Sequence, residues 1–449
     1  MKLMLSEVNK LFGNKGVILD KKVMTITADS RKVKKGDLFF ALIADNDGHE
    51  FVSDAIKAGA IGAVVQKEIP GVKSDMLIKV KDTKDALLKL ASYYFEKFNK
   101  IKVVAVTGSN GKTTTKELLS CLLNKKYIVH KSEKSFNNYL GLPLTIFGLN
   151  NKHEVLVLEI GMNHLGEIKK LATAVSVDVA IITNIGRAHI GNFEDKEMGI
   201  AQAKAEIMEA VKKSCTVILN QEDKFNEFLI KKAAVRKLKV LTFGTGSKAN
   251  TKIESYEIKE RGCEFKLNTV NGNIKMKLKG LHNIYNASAA ITAAKLLGVS
   301  DAQIKNALLK FNMKGFMRFE EVKLKNGITI INDCYNANPD SFAASIETLK
   351  KTGYKKLVVL MGEMLELGPL APKLHREVGV MFSKLGIRKF FIYGENADKV
   401  EQGYGKGAHT YLDRSALTKD LKSYVKSGDV IFVKGSRGNK LEEIISSLN

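Results

Sequence analysis

The run Thr107-Gly108-Ser109-Asn110-Gly111-Lys112-Thr113-Thr114-Thr115 decides how this chain is read. The apolar, β-branched residues 101–106 before it read as a strand, and residues 113–123 after it as a helix. The two glycines let the backbone turn its N–H groups toward a phosphate, and the start of the helix adds favourable partial charge. From such a turn Lys112 reaches β- and γ-phosphates, and the Thr113 hydroxyl is a Mg²⁺ ligand. The longer pattern G-x-x-x-x-G-K-[ST] asks for glycine at position 106, where this chain has Val106. A lysine-bearing turn that binds nothing is the plain alternative; the flanking strand and helix favour a nucleotide site.

Strand, turn and helix alternate outward from this loop. Downstream strands are expected at 154–160, 178–183, 215–220 and 239–243, and short antiparallel strands within 251–279. Helices are expected at 283–297 and 302–311. A second α/β series begins near Gly327, with strands at 328–332, 356–361, 389–393 and 429–434, after a hinge at 312–319. Upstream, strands are expected at 23–27, 37–42 and 61–65, and helices at 51–58 and 82–98. The second of these helices carries a buried stripe of Leu87, Leu90, Tyr94 and Phe98. The length of 449 residues fits three domains at ~150 residues each. The fold class is therefore α/β in three domains: a small N-terminal α/β domain (1–99), a central doubly wound, mostly parallel sheet carrying the phosphate loop (100–314), and a C-terminal Rossmann-like α/β domain (315–449).

Composition narrows the class. Hydrophobic residues make up 45% of the chain and charged residues 27%, as in globular proteins rather than disordered ones. Cys121, Cys215, Cys263 and Cys334 are far apart, which argues against a disulfide framework or a thiolate zinc site. The first residues lack the features of a signal peptide, and no uncharged apolar run approaches the ~18 residues of a membrane span. A cytoplasmic protein with no membrane insertion is expected. The excess of 72 Lys and Arg over 48 Asp and Glu gives +24 and raises a nucleic-acid reading. The charge is mostly lysine, and in residues 274–279 it alternates with apolar residues as on the wet face of a strand. Arginine clusters with interleaved aromatics are not evident, so a solvated surface is favoured, with attraction to small polyanionic substrates left open.

Several further residues carry possible chemistry. Glu159 closes an expected strand, and His189 lies just beyond another. In a parallel sheet both would share the ligand-binding edge with Thr113. Strand position alone leaves Glu159 between a metal ligand and a salt-bridged carboxylate, and favours a plain loop histidine for His189. Lys204, in the helical run 198–208, reads as a solvated helix lysine. Asn283 and Asn286 read either as base-contacting groups or as part of a helix cap. Residues 331–341 form a polar strand-to-helix loop, and composition alone slightly favours a turn with an N-cap. Gly435-Ser436-Arg437-Gly438 is either an anion-binding turn or a tight connection.

Taken together, the loop, the two strand ends and the asparagine segment resemble the Mur ligase superfamily of ATP-dependent amide-forming enzymes. Within it, Asp333-Cys334-Tyr335-Asn336-Ala337-Asn338-Pro339-Asp340-Ser341, Gly362-Glu363-Met364-Leu365-Glu366-Leu367-Gly368, and Ser135-Phe136-Asn137-Asn138 with Gly141 and Pro143 resemble the dipeptide-adding group. The run from Asp29 to Leu42 is similar to the UDP-sugar-binding domain of that group and of the preceding ligase. The Asp-Asn-Pro-Arg signature of the ligase that adds a single third amino acid is absent.

The resemblance implies a cytoplasmic ligase of peptidoglycan precursor synthesis, with ATP and two Mg²⁺ ions as cofactors. UDP-N-acetylmuramoyl-tripeptide and D-alanyl-D-alanine would be its substrates, no nucleic acid a partner, and a monomer its working form. It also implies roles. Thr107, Gly108, Ser109, Asn110, Gly111, Lys112, Thr113 and Thr114 would hold ATP phosphates. Thr113 and Glu159 would share one Mg²⁺, and His189 would hold a second. Lys204 matches a position carbamylated in relatives, which converts a cation into an oxygen ligand. Asn283 and Asn286 would meet adenine, and Arg318 and Asp333 would meet phosphate and ribose. Ser30, Arg31, Asn137, Asn138, Tyr335, Asn336 and Asn338 would face the other substrates. Lys112, Glu159, His189, Lys204 and Arg318 would serve catalysis. Cys334 stands where many relatives have serine.

Two alternatives remain at this level: a related ligase adding a single amino acid, and a nucleic-acid-binding ATPase module motivated by the charge. The second requires ATPase activity that DNA or RNA stimulates with steep salt dependence. We expect ADP release to be unchanged by either nucleic acid at low salt; a strong, salt-sensitive stimulation would overturn the ligase reading.

Overall fold

The computed structural model describes residues 1–14 and 20–448. Its strands gather into three sheets, one in each third of the chain. The first holds β1 (Ile26–Thr27), β2 (Leu38–Phe40), β3 (Gly62–Val65) and β4 (Leu77–Lys79), parallel and in sequential order. The helix Thr83–Phe95 follows, started by the Asp82 carboxylate accepting from the Asp85 N–H. Its expected stripe of Leu87, Leu90, Tyr94 and Phe98 is buried.

The central sheet contains β5 (Lys102–Thr107), β6 (Val129–Lys131), β7 (Val155–Glu159), β8 (Val179–Ile182), β9 (Thr216–Asn220), β10 (Lys239–Gly244), β11 (Thr251–Lys259), β12 (Gly262–Leu267) and β13 (Ile274–Met276). Their spatial order is β13-β12-β11-β10-β9-β8-β5-β7-β6. The pairings from β6 to β11 are parallel, and β11, β12 and β13 pair antiparallel. Successive side chains of a strand point to opposite faces. On β5, Val103 and Ala105 enter one apolar core while Val104 and Val106 enter another. Both faces are therefore covered, which explains why this strand reads as a continuous apolar run.

The third sheet contains β14 (Glu320–Lys323), β15 (Thr329–Asp333), β16 (Leu357–Met361), β17 (Lys389–Tyr393), β18 (Ala408–Tyr411) and β19 (Val430–Lys434), in the order β14-β15-β19-β16-β17-β18. Only β14 is antiparallel to its neighbour. Its two faces are again buried separately, with Ile331 and Phe432 in one core and Ile330 and Ile431 in the other.

The α/β class with parallel-rich sheets is thus as expected, with four strands unforeseen: β4, β6, β14 and β18. Each is the edge of its sheet. An edge strand is held by one neighbour and need not bury both faces, so Glu320-Glu321-Val322-Lys323 shows no apolar alternation. The third sheet consequently begins at Glu320, before the expected start near Gly327. The expected strand at 23–27 shortens to two residues, and the helix at 51–58 divides into a 3₁₀ turn (Gly48–Phe51) and a helix (Val52–Lys57). A helix at Leu5–Leu11 was not anticipated. Lys275 and Lys277 are solvated as expected, but Lys279 is buried and bonds Glu321 Oε2 and the Tyr354 hydroxyl, each at 2.8 Å. Among the described residues, no helix is long and apolar enough to cross a membrane.

Candidate active site

The order of the central sheet reverses around β5, which lies between β8 and β7. Ligands of open α/β sheets bind beyond the carboxyl ends of the strands at such a point. Here β5 empties into Gly108–Gly111, and the helix Lys112–Leu123 begins at once. Gly108 has φ +144°, and a Cβ there would lie 1.9 Å from Thr183 Oγ1. Gly111 has φ +81°, and its Cβ would lie 2.2 Å from Asn286 Oδ1. Both positions therefore require glycine. Ser109 Oγ accepts from the Gly186 N–H at 2.8 Å and donates to its carbonyl at 3.0 Å, tying this loop to the one after β8.

Lys112 Nζ folds back onto the Gly108 carbonyl at 2.8 Å. Burial lowers its pKa; Glu159 and Glu366 act against that shift and Arg318 adds to it. Glu159, at the end of β7, is 1% exposed. Its Oε1 accepts from Asn137 Nδ2 at 2.9 Å, whereas Oε2 has no hydrogen-bond partner and lies 3.8 Å from Lys116 Nζ. Lys116 is fully buried, donates to the Ser132 carbonyl at 2.8 Å and pairs with Glu117 at 3.1 Å.

Lys204 corrects the sequence reading. It is 1% exposed instead of solvated, because its helix, Lys196–Ala205, packs that face inward. Burial, and secondarily Lys112, push its pKa well below the usual lysine value. His189 adopts φ +62° and sets Nδ1 2.6 Å from Glu366 Oε2, whose pKa it lowers.

The third sheet supplies the opposite wall of a cavity of about 300 Å³. Asn110, Gly111, Asn283 and Asn286 line one side, and Arg318, Asp333 and Asn336 the other. Asp333, at the end of β15, accepts from Lys434 Nζ at 2.6 Å, Ser345 Oγ at 2.8 Å and the Phe319 N–H at 3.1 Å. The Arg318 guanidinium stacks 4.3 Å from the Tyr335 ring, and its buried Nε has no hydrogen-bond partner. Tyr335 in turn contacts Ser135 through its hydroxyl. Asn283 Nδ2 donates to the Lys279 carbonyl at 2.8 Å, and its Oδ1 accepts from Asn286. His282 also lines the cavity, and burial lowers its pKa to about 4.

Further polar links join the walls. Asn338 Nδ2 donates to Asn110 Oδ1 at 2.8 Å while Asn338 Oδ1 caps the helix Pro339–Thr352 through the Ser341 N–H. Arg187 bonds Asp340 Oδ1 and both Glu377 oxygens, each at 2.8 Å.

Other expected site residues fall elsewhere. Ser30 and Arg31 form a 3₁₀ turn on the first unit outside the cavity lining, with Arg31 Nε held by Asp29 at 2.8 Å. Asn138 caps its own segment by accepting from the Leu140 and Gly141 N–H groups. In Gly435–Gly438 the Ser436 hydroxyl accepts from the Leu365 N–H at 2.9 Å. Sequence reasoning missed Lys116, Arg187, Glu366 as partner of His189, and Lys434. Lys434 alone had a usable signal, since it ends a central parallel strand.

The donor set suits Mg²⁺. A buried carboxylate oxygen without a hydrogen-bond partner, a threonine hydroxyl and a buried lysine of lowered pKa lie about the phosphate loop, where hard oxygen ligands are needed. Among the described residues no group of three or more His, Cys, Asp or Glu forms a cage.

A phosphate loop on a parallel sheet, closed by an arginine and an aspartate from a second α/β unit, defines a nucleotide-dependent enzyme of two facing sheets. The Mur ligase middle domain matches residues 106–294, and the Mur ligase glutamate ligase domain matches 317–437. The chain belongs to the Mur ligase family. It is 36% identical to the UDP-N-acetylmuramoyl-tripeptide–D-alanyl-D-alanine ligase of Bacillus subtilis, over 94% of this chain and 92% of that one. It superposes on MurF from Acinetobacter baumannii with a TM-score of 0.90 at 29% identity, covering 99% and 98% of the two chains. MurF ligase from Thermotoga maritima in complex with ADP gives 0.82 at 28% identity, over 95% and 97%.

Lys112→Ala and Glu159→Ala are each expected to lower ADP release by at least about 100-fold, with far-UV circular dichroism and melting temperature close to wild type. Near-full activity in either well-folded variant would contradict the assigned site.

Proposed function

We propose that the protein joins D-alanyl-D-alanine to the terminal carboxylate of UDP-N-acetylmuramoyl-tripeptide, converting ATP to ADP and phosphate. The observation that carries this reading is the likeness to the dipeptide-adding ligase over 94% of the chain, first unit included. Residues 1–99 would bind the UDP-linked substrate through Ser30 and Arg31, 100–314 would bind ATP, and 315–449 would close over it. One chain contributes both walls of the cavity, so a monomer suffices.

The reaction follows from charge. Loop N–H groups from Gly108 to Thr114, with Lys112, hold the phosphates, and Arg318 approaches them from the third unit. Asn283 and Asn286 meet adenine, and Asp333 the ribose. An oxygen of the tripeptide carboxylate attacks the γ-phosphorus; ADP leaves and an acyl phosphate remains. The amine of D-alanyl-D-alanine then attacks the acyl carbon, phosphate departs with that oxygen, and the amine loses a proton. Asn137, Asn138, Tyr335, Asn336 and Asn338 are the candidate contacts to these two substrates.

Both steps bring anions together, so pre-set cations lower the barrier. Thr113, Glu159, His189 and Lys204 (the last as a carbamate) would hold two Mg²⁺ ions, which when bound neutralise phosphate charge during transfer. Burial favours the neutral Lys204 amine, the form that adds carbon dioxide and releases a proton. The third unit excludes water, which would otherwise hydrolyse the acyl phosphate.

ADP release should require the UDP-linked tripeptide and D-alanyl-D-alanine together, and the product should gain both alanines. Release that ignores the dipeptide, or a preference for a single amino acid, would overturn this assignment.

A further inference from the structure

The excess positive charge is not spread evenly. Residues 100–314 hold 34 Lys and Arg against 19 Asp and Glu, so +15 of the +24 belongs to the central unit. The parallel strands β5 to β10 start in near-common register: Lys102 pairs with Val155, Val155 with Val129, Val104 with Val179, Val179 with Thr216, and Thr216 with Lys239. The segments leading into them, residues 99–102, 124–128, 150–154, 173–178, 211–215 and 235–239, therefore end on one edge of the sheet. They carry ten Lys or Arg and two acids, Glu154 and Asp178. The nucleotide cavity lies at the opposite, carboxyl edge, where Asn184 and Asn220 follow or end their strands.

One part of this edge is amphipathic. The helix Asn226–Val235 ends there, and Arg236 secures the end by donating to the Glu209 carbonyl at 2.7 Å. Among the described residues Val235, at 81%, is the most exposed large apolar side chain. Lys231 lies one turn before it on the helix, Lys237 and Lys239 follow it, and Lys213 precedes the strand paired with β10; all four are exposed, and none has an ion-pair partner among the described residues. An exposed aliphatic side chain beside four unpaired lysines matches a surface of anionic headgroups over acyl chains. It matches single-stranded nucleic acid less well. The knob offers no face to stack on a base, and the nearby rings of Phe225 and Phe228 are half-buried beneath Lys224 and Lys232.

We propose that the amino edge of the central sheet, at Lys213, Lys231, Val235, Lys237 and Lys239, docks peripherally on an anionic lipid surface. Docking there leaves the catalytic edge facing away from the bilayer and open to its substrates.

The test is sedimentation of the full-length protein with vesicles of phosphatidylcholine, alone or mixed with phosphatidylglycerol. Wild type should sediment only with the anionic vesicles and be released by salt. Combined Lys213→Glu, Lys231→Glu, Lys237→Glu and Lys239→Glu should weaken that binding by roughly tenfold or more. Val235→Ser, which keeps the charge, should weaken it severalfold, and both variants should retain wild-type ADP release. No binding to anionic vesicles at low salt, or equal binding by the lysine variant, would overturn the proposal. Binding of single-stranded RNA without vesicle binding would also overturn it and assign the surface to nucleic acid.

Discussion

Burying a charge without a counter-charge is costly, and the cleft between the second and third sheets buries many cations. Lys116 and Lys204 are 0% and 1% exposed, and Lys434 is 2% exposed. The local structure is organised to tolerate them. Lys116 leans on Glu117, Glu159 and the Ser132 carbonyl, and Lys434 on Asp333. Lys112 turns back on its own loop. Lys204 has no such counter-charge, and burial, with Lys112 adding to it, pushes its pKa well below the usual lysine value. A cleft so provisioned is a receptacle for polyanions, and a nucleoside triphosphate with a carboxylate substrate meets that demand.

The same constraint explains why the third unit must sit where it does. Asp333 serves at once as counter-charge to Lys434 and as acceptor for the Phe319 N–H, which positions the segment carrying Arg318. Asn338 caps its helix and reaches Asn110 on the phosphate loop with the same amide. Arg187, just before His189, grips Asp340 and Glu377 across the cleft. The loops after β5, β8 and β15 are thus one connected polar structure, and a change in any of them is felt by the others.

Much of this was legible in the sequence where physics acts locally. The glycine-lysine-threonine loop, the doubly buried strands and the strand-end position of Glu159 follow from backbone geometry and periodicity. Edge strands were not legible, because one-sided pairing leaves no apolar alternation in Glu320–Lys323 or Val129–Lys131. Lys204 was misread because helical spacing cannot tell whether a lysine stem covers a surface or points into a cleft. Lys116 and the His189–Glu366 contact depend on segments 43 and 177 residues apart meeting in space, for which no local pattern exists. Ser30 and Arg31, expected at the UDP-linked substrate and not at ATP, lie on the first unit apart from the nucleotide cavity.

The proposed reaction depends on transfer of the ATP γ-phosphoryl group to the substrate carboxylate in this cleft. It is tested most directly by supplying UDP-N-acetylmuramoyl-tripeptide labelled with ¹⁸O in its terminal carboxylate and analysing the products by mass spectrometry. The account predicts one labelled oxygen in the released inorganic phosphate, unlabelled ADP, and one labelled oxygen retained in the new amide carbonyl. Phosphate free of label, or label carried by AMP with release of pyrophosphate, would contradict it.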